Sequence, residues 1–301
     1  MKVYELIIIG AGPAGLTAGI YAARKNMDFI IITKDIGGMT NYSWDIENYL
    51  GYQFITGPEL VEKFKEHIKE FNVDIKEGQE VIRVLKEEEN FKILTNSENY
   101  LSKTVIIATG RRPKELNVKG ENQFRNKGIT YCATCDAPLF RNKVVAVVGG
   151  GNSGLDAVLQ LSRIAKKIYL IEINKNLTGD QVVVNKVKNI DKVEIFTDAK
   201  LLQIYGDKFV EGIRIGKNNE ILEFKVDGIF VEIGSVPNSE IIDFIDKNEK
   251  GEIIVDCKNK TSQRGIFSAG DVTNVFAKQI IVACGEGAKA AISSFEYLKY
   301  L

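Results

Sequence analysis

The chain has a single histidine, His67, among its 301 residues. That scarcity argues against a histidine-based metal site and against a Ser-His-Asp triad, and no metal is expected. Net charge is lacking too: forty basic residues balance forty acidic ones. Nothing in that balance drives the chain toward nucleic acid or an anionic membrane. No apolar run reaches about 18 residues, so no membrane-spanning helix is expected. The first strand-like run begins at about Val3, which leaves no room for a secretory signal, and a cytoplasmic setting follows by default. Cysteine is sparse. Cys132 and Cys135 form a Cys-x-x-Cys, while Cys257 and Cys284 stand alone; a secreted disulfide framework is usually denser and shorter. The composition that remains, 45% apolar and 27% charged, is ordinary for a globular chain of about two domains.

Glycine is where the sequence becomes informative. Residues 3–9 read as a buried strand, 14–25 as a helix and 28–32 as the next strand. Between the first strand and the helix stands Gly10-Ala11-Gly12-Pro13-Ala14-Gly15, a G-x-G-x-x-G turn. The first glycine permits the tight turn, the second lets the backbone approach a pyrophosphate, and the third lets the helix pack on its sheet. The helix N-terminus offers free N–H groups to the phosphates. A ribose-binding carboxylate is expected about 20 residues on. The strand instead reads as ending at Thr33-Lys34, with the Thr33 hydroxyl left to hydrogen-bond a ribose.

The same unit recurs 139 residues later, around Gly149-Gly150-Gly151-Asn152-Ser153-Gly154. Residues 143–148 read as a strand, 155–165 as a helix and 167–172 as a strand. This second strand ends in Glu172, 23 residues after Gly149, just as Thr33 lies 23 residues after Gly10. A carboxylate there accepts hydrogen bonds from adenosine ribose hydroxyls. It repels a 2′-phosphate by on the order of 4 kcal/mol per charge pair at about 4 Å. No arginine follows in Ile173-Asn174-Lys175, so NADH is favoured over NADPH; the bland alternative is a solvated glutamate at a strand end. Two such units imply two nucleotide-sized ligands. Elsewhere, residues 58–71 read as an amphipathic helix with Leu60, Phe64, Ile68 and Phe71 on one stripe. Strands are expected near 80–85, 91–95, 104–108, 193–197, 209–215, 228–233 and 252–256, and a long helix at about 279–298.

Cys132-Ala133-Thr134-Cys135 has the spacing of a redox dithiol, whose sulfurs close a small ring, especially at the first turn of a helix where the dipole favours a thiolate. Asp136 follows and could exchange a proton with the departing thiolate; a plain N-cap role is the local alternative. A zinc knuckle would need a second pair, and Cys257 and Cys284 are poorly spaced for one.

These segments, together with Ala108-Thr109-Gly110 and Gly265-Ile-Phe-Ser-Ala-Gly-Asp271, occur in the order found in low-molecular-weight thioredoxin reductases. The chain resembles that family over its whole length. The resemblance implies an α/β fold of two Rossmann-like, three-layer ββα dinucleotide-binding domains, the second inserted into the first. Residues 1–112 and 242–301 would bind FAD; residues 113–241 would bind the pyridine nucleotide and carry the cysteines, with a hinge at about 111–118. On the FAD side it implies contacts from Gly10, Gly12, Pro13, Ala14, Gly15, Thr33, Lys34, Gly37, Gly38, Met39 and Asn48, the family usually having glutamine where Met39 stands. Thr109, Gly110, Gly270, Asp271, Lys278, Gln279 and Ile280 match further FAD positions. Asp271 would meet the ribityl or phosphate region, and the helix beginning near Gln279 would point its positive end at the flavin ring. On the nucleotide side stand Gly149, Gly151, Asn152, Ser153, Gly154 and Glu172. Cys135 would face the flavin and Cys132 would attack the substrate disulfide.

NADPH-using members carry His-Arg-Arg and a further arginine after the second strand. Here the stretch is Glu172-Ile-Asn-Lys175, then Gly179-Asp180-Gln181. That stretch, the Asn152-Ser-Gly154 turn and Lys278-Gln-Ile-Ile281 are more similar to the flavoprotein component of alkyl hydroperoxide reductase, which uses NADH. The implied activity is a thioredoxin-disulfide reductase. Electrons would pass from NADH (or NADPH) through FAD and the Cys132–Cys135 dithiol to thioredoxin or a similar small protein, in a homodimer. The alternatives are an NADH-dependent peroxiredoxin reductase or NADH oxidase, and a ferredoxin-linked flavin thioredoxin reductase that uses no nucleotide.

Overall fold

The computed structural model describes residues 2–301 except 43–45, 47, 126 and 132, and of residues 42, 134 and 135 the backbone alone. Cys132 therefore lies outside the described residues, as does part of the 45–48 stretch beside Asn48.

The chain divides into two compact units, Met1–Arg112 with Val236–Leu301, and Pro113–Ser235. The return crossing precedes the 241/242 boundary expected from sequence. Val84 N–H donates to the Ile241 carbonyl at 2.8 Å, and Ile241 and Ile242 are buried in the core of the first unit. Those contacts hold residues 236–241 with the first unit.

In the first unit, strand Val3–Ala11 runs parallel between Phe29–Ile36 and Asn99–Ile107. Ile75–Glu77 and Ile266–Ser268 extend the parallel set on either side. Successive strand side chains point to opposite faces. Accordingly Leu6, Ile8, Ile31 and Ile106 join one buried cluster with Ala14, Ala18 and Ala22 of helix Pro13–Arg24 and Ala290 of helix Ile280–Leu298. Ile7, Ile9, Ile30, Ile32, Val105 and Ile107 join another with Val84, Phe91 and Ile93. That second cover is an antiparallel ribbon of Val81–Glu87, Asn90–Thr95 and the first half of Asn99–Ile107. The unbroken run Leu6-Ile7-Ile8-Ile9 thus marks a strand covered on both faces, each such side chain contributing about 1.5–3 kcal/mol by burial.

The second unit repeats the plan. Its parallel sheet has the order Val193–Phe196, Lys167–Ile171, Val144–Val148, Gly228–Val231, Ile129–Thr130. Val145, Val147, Ile168, Leu170 and Phe230 pack with Leu155, Val158 and Leu161 of helix Asn152–Ser162. Ala146, Val148, Ile171, Ile229 and Val231 pack with the antiparallel ribbon Lys200–Gly206, Val210–Lys217 and Glu220–Lys225. Each unit is a three-layer ββα, Rossmann-like fold, and the second is inserted in the first.

One expected strand is absent. Over 252–256 the backbone makes only isolated bridges, Ile253 pairing with Lys247 and Thr273. The Glu252 side chain there is drawn into pairs with Arg111 and Lys278, and the strand of this segment is Ile266–Ser268. Helix Gln181–Lys188 is a further element, without a strong sequence signal. It buries only Val184 and Val187, and its start is set by Asp180, whose carboxylate accepts the Val182 N–H. Among the described residues no helix is long and apolar enough to cross a membrane.

Candidate active site

At the end of the opening strand the chain turns at Gly10, with φ +103°. A Cβ there would collide with the Ala108 carbonyl oxygen, so the turn needs glycine on both counts. Gly12 differs. Its backbone is extended (φ −75°, ψ −173°), and no side chain caps the helix that follows. A Cβ on Gly12 would meet nothing nearer than the Gly37 carbonyl oxygen at 3.9 Å. The first helical turn, with Pro13, Ala14 and Gly15, therefore offers its unpaired N–H groups into open space, the arrangement that receives a phosphate. Gly37 and Gly38 flank it: the Gly37 N–H donates to the Ala11 carbonyl at 2.8 Å, and a Cβ on Gly38 would lie 3.7 Å from the Gly12 Cα.

The reading of strand two as ending at Thr33-Lys34 without a carboxylate is corrected. The strand continues to Ile36 through an irregularity: Ile9 pairs with Ile32, but Ala11 pairs with Ile36. This bulge turns the Thr33 hydroxyl inward, where it accepts the Ala11 N–H at 3.2 Å and donates to the Asp35 carbonyl. Thr33 is buried and braces the glycine turn, while Asp35 puts an exposed carboxylate beside it. Counting at a fixed offset missed Asp35 because the bulge adds residues to one strand only.

Other residues of the expected FAD set come together from distant parts of the chain. The Asn48 amide donates to Gln279 Oε1 at 3.0 Å. Gln279 begins helix Ile280–Leu298 without a side-chain cap, and Ile280 packs on the cluster of Ile46, Ile55 and Leu60. Gly270, with φ +78°, lets its backbone approach helix Pro13–Arg24; a Cβ there would be 3.0 Å from the Ala14 Cβ. The Thr109 hydroxyl donates to the Asn238 carbonyl at 2.6 Å, and the Asn238 N–H donates to the Gly110 carbonyl at 3.0 Å. Asn238, not singled out from sequence, thus holds the end of the third strand. Met39 is exposed, and Lys34 is exposed with Glu80 at 3.7 Å. The Lys278 ammonium lies 3.1 Å from Glu252, whose same oxygen pairs with Arg111 at 2.9 Å. Burial pushes the Glu252 carboxyl up, but Asn248, Lys278 and Arg111 together hold it below the usual range. Burial also raises Asp271, against the pull of Lys278 and Arg111.

In the second unit Gly149 repeats the Gly10 geometry, with φ +118° and the Glu232 carbonyl oxygen where a Cβ would be. Gly151 repeats Gly12: extended, uncapped, and open except for the Thr178 hydroxyl oxygen 3.7 Å from a Cβ position. Gly154 packs its helix against the turn, and Asn152 and Ser153 are exposed at the helix start. Glu172 is 5% exposed. One carboxylate oxygen accepts the Gly150 N–H at 2.5 Å; the other accepts the Asn174 N–H at 2.7 Å and its side-chain amide at 2.6 Å. Glu172 is therefore a hub of the turn, with only Oε2 keeping a lone pair for a ligand. The segment after it folds onto the same turn: Thr178 N–H donates to the Gly150 carbonyl at 2.8 Å, and Asp180 N–H to Asn152 Oδ1 at 2.7 Å.

Cys135 lies in a four-residue helical turn, Ala133–Asp136. The expected start of a full helix is thus a single turn, with a correspondingly small dipole. Asp136 ends it and makes no side-chain capping bond to the next turn, Ala137–Phe140. Just ahead, the Tyr131 hydroxyl donates to buried Glu121 at 2.7 Å; Glu121 also accepts the Leu116 and Asn117 N–H groups at 2.7 and 2.6 Å. The Ala133 N–H donates to Glu232 at 3.4 Å. Burial pushes Glu232 up to about 7, with Asp156 adding to the rise and the Ala133 N–H opposing it. Cys257 and Cys284 are free thiols.

Residues 4–287 match the model of the pyridine nucleotide-disulphide oxidoreductase family. The chain is 41% identical over 300 residues to an alkyl hydroperoxide reductase flavoprotein of Staphylococcus aureus, covering 98% of this chain but 59% of that relative's own length. Among solved structures it is similar to thioredoxin reductase of Lactococcus lactis, with a TM-score of 0.88 and 33% identity over 99% of this chain and 100% of that one. It is likewise similar to T. acidophilum thioredoxin reductase, with a TM-score of 0.85 and 36% identity over 100% and 99%.

Proposed function

This chain belongs to the pyridine nucleotide-disulphide oxidoreductase family, a flavin- and NAD(P)H-dependent class, and we propose that it is a thioredoxin-type disulfide reductase. Electrons pass from NADH, in preference to NADPH, through FAD and the Cys132–Cys135 dithiol to thioredoxin or a similar small redox protein. The observation that carries this reading is the pair of open, uncapped glycine turns, one in each unit. The second lies in the unit that also holds the turn of Cys135.

In this reading Gly12, Gly37 and Gly38 leave room for the FAD pyrophosphate, and Asp35 takes its adenosine ribose. Pro13, Ala14 and Gly15 shape the helix start; Asn48, Thr109, Gly110, Gly270, Asp271, Lys278, Gln279 and Ile280 line the rest. FAD, when bound, supplies the two-electron carrier between nucleotide and disulfide. Gly151, Asn152 and Ser153 receive the nucleotide phosphates, and the remaining lone pair of Glu172 meets the adenosine ribose. The latch of residues 174–180 over the turn provides no basic cluster for a 2′-phosphate, which favours NADH. Cys132 attacks the partner disulfide, Cys135 faces the flavin, and Asp136 moves the proton. Thiol chemistry of this kind belongs with a reducing cytoplasm, and the resemblance implies a homodimer.

The 41% identity to the alkyl hydroperoxide reductase flavoprotein favours a second reading, reduction of a peroxiredoxin-type partner. Steady-state assays separate the readings. NADH, NADPH and reduced ferredoxin are compared as donors, with thioredoxin, a peroxiredoxin and oxygen as acceptors. The reading expects NADH with thioredoxin to be fastest, and Cys132→Ser and Cys135→Ser each to abolish turnover while FAD stays bound. Retained turnover in either variant, or a flavin that NADH and NADPH leave unbleached, overturns it.

A further inference from the structure

Glu232 is a titratable group that the reading above does not use. It follows strand Gly228–Val231, half-buried where three pieces of the second unit meet. Its carboxylate accepts the Ala133 N–H at 3.4 Å, at the head of the turn that contains Cys135. Its carbonyl oxygen fills the space over Gly149, and its Cβ lies 3.7 Å from a Cβ position on Gly154. From helix Asn152–Ser162 the ionisable group facing it is Asp156. The flanking strands Ile129–Thr130 and Val144–Val148 and the turn Gly149–Gly151 contribute no ionisable side chain. From the cysteine segment the ionisable groups are the two thiols and Asp136. No cation is among these groups, so a negative charge on Glu232 is opposed by burial and by Asp156.

We propose that Glu232 is a positioning residue of the redox centre, whose gain and loss of a proton beneath the Ala133–Asp136 turn sets how readily the adjoining thiols ionise. The inference rests on Cys132 and Cys135 being the redox pair. Reducing their disulfide breaks the S–S bond and adds two electrons, which come from the pyridine nucleotide. Two protons then complete two thiols, or one proton leaves a thiol and a thiolate. A neutral Glu232 does not oppose that thiolate, whereas a carboxylate in the same place does. Because burial pushes Glu232 up to about 7, the opposition is absent in mild acid and present above neutrality. Glu232 exchanges only a proton; the electron count of the dithiol is unchanged.

The test is alkylation of the NADH-reduced holoenzyme by iodoacetamide, with Cys132 and Cys135 followed separately by peptide mapping from about pH 5 to about pH 9. Glu232→Gln keeps an oxygen for the Ala133 N–H and removes the charge. The expected result is alkylation about tenfold faster than wild type above neutrality, converging on the wild-type rate below about pH 6. A merely structural role would change the rate by the same factor at every pH. That outcome, or superimposed curves, overturns the inference. If Glu232→Gln does not fold, Glu232→Asp retains the charge at a shorter reach. A changed rate ratio confined to the alkaline side then supports the inference, and a curve equal to wild type overturns it. If neither Cys132 nor Cys135 gains reactivity on reduction by NADH, the redox-pair reading fails and this inference with it. If they gain it but ignore Glu232, this inference alone fails.

Discussion

The Glu172 carboxylate accepts the Gly150 N–H at 2.5 Å, so the acid at the end of one strand holds the glycine turn at the end of its neighbour. A residue that reads from sequence as a ribose ligand is first a brace for the loop that receives the phosphates. Both effects run through one side chain that is 5% exposed.

Glu172→Gln separates them. An amide cannot accept from both Gly150 and Asn174 without presenting its NH2 to one of those donors. Hydrogen bonds to a charged acceptor are worth about 1.5–3 kcal/mol, so the turn loosens by roughly that amount. We expect KM for NADH to rise about tenfold with FAD content unchanged. Steady-state kinetics and the flavin absorbance ratio check this. An unchanged KM would mean that the Glu172 hydrogen bonds do not hold the nucleotide turn.

Gly12→Ala and Gly151→Ala test the open turns. Both backbones are extended, and the nearest neighbours of an added methyl lie 3.9 and 3.7 Å away. The variants should fold with melting temperatures close to wild type. The methyl occupies the path of a pyrophosphate, so Gly12→Ala should lack FAD, while Gly151→Ala should keep FAD and lose reduction by NADH. Gly10→Ala, by contrast, strains a φ of +103° and meets a carbonyl, and should not accumulate as folded protein. Circular dichroism, flavin content and stopped-flow bleaching read all three.

Thr33→Val keeps shape and removes the hydroxyl that links the Ala11 N–H to the Asp35 carbonyl. A buried group left unpaired costs about 1–3 kcal/mol. Denaturant melts should show that loss, with weakened FAD retention, and Thr33→Ser should recover most of it. A neutral Thr33→Val would show that the hydroxyl does not brace the turn.

Glu232 also gives stability a pH dependence. Burial raises its carboxyl from the ordinary 4.5 to about 7 in the folded protein, so the folded state binds this proton more tightly than the unfolded one. Its contribution is fully present below about 4.5 and is lost as pH rises toward 7. Glu232→Gln should therefore stabilise the protein by roughly 1–3 kcal/mol at about pH 8 relative to its effect at about pH 5. Melting temperatures at the two pH values decide it; an equal effect at both shows that no strained charge is relieved.

Much of the frame was legible in the sequence because it rests on local rules. Unbroken runs such as Leu6-Ile7-Ile8-Ile9 require strands covered on both faces, and glycines at 10, 12 and 15, repeated at 149, 151 and 154, require strand–turn–helix corners with open helix starts. Those rules act within a few residues, so spacing alone expresses them. What depends on contacts between distant segments came only with the tertiary structure. The bulge that turns Thr33 inward and brings Asp35 to the turn arises from the pairing of two strands. The Glu172 hub depends on a neighbouring strand's loop, and the meeting of Asn48 with Gln279 spans most of the chain. The place of Glu232 under the turn of Cys135 depends on parallel pairing of strands far apart in sequence. Burial and partner geometry decide whether a carboxylate is a ligand, a brace or a proton store, and neither is a property of spacing along the chain.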